Sequence, residues 1–196
     1  PAKYWEECLP LGNGRLGAML SGGVRNEYIG LNEGTMWSGG VQHTDNPEAL
    51  EWLPIIREAL LVGDNRRAEE LMYRYFTCSG GGSASPEYGC YQMFCNLLVT
   101  TDIANGATVE DYRRELCLRD AIARTSFTVD GVEHRREYFT SYEDNALMMR
   151  YSASAPTNYT LTLRRTADAE IIAGDGGITI RGVLPSGRDN EGVNYI

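Results

Sequence analysis

Gly12, Gly14 and Gly17 stand in the stretch GNGRLGAML at the spacing G-x-G-x-x-G. That spacing lets a turn bring its backbone close to a pyrophosphate, which is the chemistry of dinucleotide binding. The motif works only between a buried parallel strand and a helix whose N-terminal N–H groups hold the phosphates. Here the preceding WEECLPL is too short and too polar for such a strand. Gly22 and Gly23 fall in what would be the second helical turn, where the pair costs a helix roughly 2 kcal/mol. Glu33 lies about where a ribose-binding acid belongs, but the chain carries 27 acidic residues. The stretch therefore reads as a hairpin: one strand over 16–20, a turn over 21–26 and a return strand over 28–31.

Other chemistries find less support. A Ser/His/Asp triad needs a histidine, and the two present are His43, in a loop beside Asp45, and His134, in mid-strand between charged residues. There is no G-x-S-x-G elbow. Glycoside hydrolysis needs two carboxylates about 5–10 Å apart, yet Glu6-Glu7 and Asp189/Glu191 are no more pointed than so acidic a composition supplies by chance. Cys8, Cys78, Cys90, Cys95 and Cys117 form neither a C-x-x-C site nor an even disulfide framework. They read as small hydrophobes, no metal or cofactor is expected, and the usage leans toward a reducing, cytoplasmic compartment. The glycine run at 80–82 lacks the Lys-Ser/Thr of a phosphate loop and reads as a mobile connection.

The aromatic residues are more suggestive. Aromatic faces stack on sugar rings while their rims accept polar neighbours. Trp52 and most of the twelve tyrosines suit a core or a sheet face. Trp37 stands apart, because Asn32, Glu33, Thr35 and Ser38 surround it with hydrogen-bonding side chains. Asn32, Glu33 and Trp37 are therefore the candidate residues of a substrate cleft or a domain interface.

The elements that position them follow from patterning. Asn46 suits an N-cap, with Pro47 in the first turn and Glu48 complementing the dipole. Leu50, Leu53, Ile56 and Leu60 recur at helical spacing, Pro54 predicts a break, and Gly63 a stop. Asp64 can cap a second helix over 66–76, with Ala68, Leu71, Met72 and Tyr75 on one face. From Tyr91 onward the texture is β. Asp130-Gly131 joins strands over 121–129 and 132–139. Further strands follow over 145–151, 159–164, 169–173 and 178–183, with turns at Pro156, 174–177 and 185–187. The expectation is one mostly β domain over 1–196, a large antiparallel sandwich with a helical insert at about 47–76. A net charge of −9 argues against a nucleic-acid partner. No apolar run approaches the roughly 18 residues of a membrane span, and no signal peptide is visible.

WEECLPLGNGRLGAM, followed by GGV and LNEGTMWSGG, resembles the N-terminal domain of glycoside hydrolase family 95, the inverting α-L-fucosidases. The likeness continues through NPEAL, LPIIR, Tyr91-Gln92, YRREL, REYFTS and Asp144-Asn145, nearly the whole chain. It departs at Gly34, where the family usually has an acid, and at 93–96, where it usually turns through Pro-Leu-Gly. The resemblance implies a β-sandwich that precedes an (α/α)6 barrel, with the catalytic carboxylates in that barrel. It thus implies a truncated, non-catalytic domain with no catalytic residue of its own. Its partners would be the catalytic domain of the same polypeptide and, through the parent enzyme, a fucosylated oligosaccharide. A free-standing carbohydrate-binding module is the alternative reading.

Overall fold

The computed structural model describes residues 1–40, 44–80, 88–165, 169–174, 176–185 and 194–195. The described chain is mostly antiparallel β with two helices, and it divides into two compact units. The first comprises Pro1–Trp37, Tyr91–Val183 and Asn194–Ile196; the second comprises Ser38–Cys90 and Leu184–Val193.

The first unit is a sandwich. One sheet has the order β1 (Leu9–Gly12), β2 (Leu16–Leu20), β3 (Asn26–Glu33), β4 (Cys95–Thr101) and β9 (Tyr159–Arg164). The other has β5 (Val109–Cys117), β6 (Ile122–Val129), β7 (Val132–Ser141) and β8 (Ala146–Ala153) in chain order. β10 (Glu170–Gly174), β11 (Gly177–Val183) and β12 (Asn194–Tyr195) pair as a smaller sheet. Strict alternation drives the layering: in β6, Ala123, Thr125, Phe127 and Val129 are buried while the residues between them are half-buried. Ala18, Leu20, Ile29, Leu97 and Val99 of the first sheet meet Ala123 and Tyr138 of the second. Burying each larger side chain of this kind is worth about 1.5–3 kcal/mol.

The glycine-rich opening is an antiparallel hairpin, with Leu11 opposite Ala18 and Gly12 opposite Gly17. No helix follows Gly17, so the dinucleotide fingerprint lacks its phosphate-binding element. Residues 9–12, a strand of four residues that includes Pro10, form the edge of this antiparallel sheet. Gly14 has φ +92°, a turn conformation that side chains resist, and Asn13 Oδ1 accepts from the N–H groups of Arg15 and Leu16. Asp130 and Gly131 both have positive φ, as a two-residue primed hairpin turn requires.

A buried ion pair crosses the sandwich. Glu27 of β3 and Arg136 of β7 are 0% and 1% exposed, with Nη1 3.2 Å from Oε2. Arg136 also donates to the carbonyls of Gly23 and Val24 and to Thr101 Oγ1. Glu27 accepts from the Gly22 N–H at 2.9 Å. Burial raises the Glu27 pKa, and the Gly22 N–H and Arg136 restrain the rise.

The second unit contains helices α1 (Ala49–Leu61) and α2 (Asn65–Tyr75). Asn46 Oδ1 accepts from the Glu48 N–H, and Asp64 caps α2 through the Arg67 N–H. Contrary to the expected break, α1 runs through Pro54. Pro54 is exposed, so water can take up the Leu50 carbonyl that it cannot reach. The four-residue apolar stripe also divides: Ile56 is buried with Ala59 and Ala68, whereas Leu50 and Leu60 are exposed. Trp52 and Tyr75 stack at 3.8 Å and close this small core. Met72, expected on the inner face of α2, is 43% exposed.

Cys8, Cys78, Cys95 and Cys117 are free thiols. Cys95 is buried, Cys8 and Cys117 are half-buried, and Cys78 and Cys90 are exposed, so the expected role as core filler fits Cys95 best. Burial lifts the Cys95 thiol to about 11.

Candidate functional site

The candidate loop begins where β3 ends. β2–β3 pairing sets Leu16 opposite Glu33 and Gly17 opposite Asn32. The chain then turns at Gly34, whose N–H donates to the Arg15 carbonyl. Met36 anchors the turn by burying its side chain to 2% exposure. Trp37 pairs with Tyr91 as an isolated antiparallel bridge, and the Gln92 N–H donates to the Met36 carbonyl at 2.7 Å.

Met36 therefore goes in and Trp37 goes out. The Trp37 ring is 52% exposed and meets Tyr91, 42% exposed, edge-to-face at 5.7 Å between centroids. Tyr91 donates its hydroxyl hydrogen to the Glu33 carbonyl at 3.3 Å. The Glu33 carboxylate accepts from Arg15 Nε at 2.6 Å, from the Thr35 N–H at 2.8 Å and from Thr35 Oγ1 at 2.5 Å. Partial desolvation works against its charge, but the bonds from Thr35 and Arg15 outweigh it and hold its pKa below the usual carboxylate value.

This arrangement favours binding over acid–base catalysis. Glu33 is a fixed anion whose oxygens are already engaged, so it is poorly suited to giving up or taking a proton. What the loop offers outward is aromatic surface beside a locked charge. Asn32 does not share that environment. Strand alternation sends it to the other face of the sheet, where a Cβ on Gly17 would lie 3.6 Å from the Asn32 Cβ.

Arg15 and Tyr91 complete the site and were not among the residues singled out from sequence. Arg15 could have been found from the hairpin register, because it precedes the residue opposite Glu33. Tyr91 joins through tertiary pairing alone. His43 lies outside the described residues. His134 is 5% exposed and stacks on Phe127 at 4.9 Å, with its Nδ1 unpartnered among the described residues. Burial first, and then Arg136, lowers its pKa. Among the described residues no group of His, Cys, Asp and Glu is arranged to hold a metal. No helix among them is long and apolar enough to cross a membrane.

Residues 1–195 match the family described as "Glycosyl hydrolase family 65, N-terminal domain". The chain belongs to this family of glycosidase N-terminal domains. Two curated relatives share 33% identity with this N-terminal domain. One, from Arabidopsis thaliana, is named "Alpha-L-fucosidase 2" and aligns over 172 residues, 87% of this chain and 19% of that protein. The other, from Aspergillus niger, is named "Probable alpha-fucosidase A" and aligns over 155 residues, 76% of this chain and 18% of that protein. The chain thus spans about a fifth of the length of these relatives. The resemblance to the α-L-fucosidase N-terminal domain agrees with both findings.

Proposed function

We propose that this chain is the non-catalytic N-terminal sandwich of an α-L-fucosidase-like, inverting glycoside hydrolase. It packs on a catalytic barrel in the same polypeptide and shapes that barrel's substrate cleft through the loop bearing Glu33 and Trp37. Catalysis on a fucosylated oligosaccharide belongs to the barrel. Asn32, on the other face of β3, belongs to the domain interface.

The observation that carries this reading is the half-exposed Trp37–Tyr91 pair beside a carboxylate locked by Arg15 and Thr35. A large ring left half in water is a surface that covering stabilises, and polar neighbours fit a sugar or an interface rim. The family match to a glycosidase N-terminal domain, and the far greater length of the relatives, supply the class of partner.

The test uses an aryl α-L-fucoside and the longer polypeptide that carries this chain. Trp37→Ala is expected to lower kcat/KM about tenfold or more through misplaced substrate. In the 196-residue chain the same substitution should cost no more than about 1 kcal/mol, because the ring is only half-buried. The 196-residue chain should release no phenol. Turnover by this chain alone, abolished by replacing one of its own carboxylates, refutes the reading. So does unfolding of the Trp37→Ala chain.

A further inference from the structure

The two helices of the hairpin differ in what they expose. On α2 the surface away from the small core is mostly charged, with Arg66, Arg67, Glu69, Glu70 and Arg74 exposed beside Tyr73 and Met72. On α1 the exposed surface is richer in leucine, though Glu51, Arg57 and Glu58 are exposed there too. Ile56 and Ala59 are the buried residues of this helix. Half a turn away from them, Leu50 is 80% exposed and Leu61 86%. Val62, just past the helix end, is 75% exposed and Leu60 is 49% exposed. At 3.6 residues per turn, Leu50, Leu53, Arg57, Leu60 and Leu61 trace a stripe along the helix. The stripe is thus leucine throughout except for one cation, Arg57, which is exposed and has no ion pair among the described residues. A helix that is apolar on two faces has two neighbours to bury against. α2 supplies one.

We infer that the leucine stripe of α1 is a second docking surface for the catalytic part of the same polypeptide, separate from the Trp37 loop. It takes an apolar patch bearing a carboxylate that meets Arg57. The inference rests on the reading that a catalytic part completes the molecule, which the N-terminal-domain family match and the length of the relatives support. A hydrophobic docking patch of this kind fits a permanent contact within one polypeptide better than a transient encounter, because permanent interfaces are the more apolar ones.

Cysteine accessibility in the longer polypeptide tests this. Leu50→Cys and Leu61→Cys are made singly, with Glu69→Cys on the charged side of α2 as the exposed reference. Maleimide labelling is read by peptide mass spectrometry, which separates these sites from the exposed native Cys78 and Cys90. The stripe positions are expected to label at least about tenfold more slowly than position 69, at every protein concentration. Equal labelling shows an open stripe and overturns the inference. Protection that vanishes on dilution means a second copy covers the stripe and also overturns it. Trp37→Ala activity is measured in parallel to separate the two ideas. An open stripe with impaired Trp37→Ala activity retires the docking surface and leaves the loop reading standing. A protected stripe with fully active Trp37→Ala retires the cleft role of the loop and keeps the docking surface.

Discussion

Glu27→Gln removes one charge from the buried pair that crosses the sandwich. The amide can still accept from the Gly22 N–H, so the turn it caps survives. What changes is the environment of Arg136, 1% exposed, whose cation loses its only anionic partner among the described residues. Breaking a buried pair by removing one partner costs about 3–5 kcal/mol. Arg136 keeps three oxygen acceptors, the carbonyls of Gly23 and Val24 and the hydroxyl of Thr101, which places the cost near the lower end. With a urea m-value of about 2 kcal/mol/M, a loss of about 3 kcal/mol moves the unfolding midpoint down by about 1.5 M. Arg136→Met should cost more, because it strands the Glu27 carboxylate and leaves those three acceptors without their donor. The assay is urea unfolding followed by near-UV circular dichroism, which reports on the packed Tyr138–Tyr151 pair in the same core. A loss below about 1 kcal/mol for Glu27→Gln refutes the claim that Glu27 compensates Arg136. So does finding Arg136→Met the milder change.

Two further outcomes follow from the same interior. His134 has a folded pKa lowered from 6.5 by burial and by Arg136, so the unfolded chain binds the proton more readily. Its stabilising contribution is present above about pH 6.5 and is lost as pH falls from there toward the folded pKa; His134→Gln should flatten the decline in Tm between about pH 6.5 and 5 by thermal melts. The glycines should differ by position. A Cβ on Gly23 would sit 1.8 Å from the Asn26 carbonyl oxygen, whereas one on Gly14 meets nothing within 4 Å. Gly14→Ala should cost only the φ strain of about 1–2 kcal/mol, and Gly23→Ala several times that, measured by chemical unfolding.

Much of the fold was legible because it is written locally. Asp130-Gly131 marked the turn between β6 and β7, since a two-residue turn depends on chain geometry within a few residues. Gly63 and Asp64 marked helix ends for the same reason, whereas the N-cap of α1 is Glu48, two residues after the expected Asn46, and makes no side-chain cap bond. Pro54 misled because a proline costs a helix only what its lost bond and clash cost, and an exposed position lets water cover the loss. The α1 stripe misled because periodicity shows that residues share spacing, not which face finds a partner.

The candidate site divides along the same line. Residue type alone marked Trp37 and Glu33: a large ring among polar neighbours, next to a carboxylate. Only the tertiary structure decided that Met36 goes in and Trp37 goes out, and that Tyr91 arrives from 54 positions later to meet the ring. It also decided that Arg15 and Thr35 fix Glu33 as an anion. Local chemistry sets which conformations a segment tolerates. Which side chain is covered, and by what, depends on contacts between segments far apart in the chain, and those exist only once the sheets have paired.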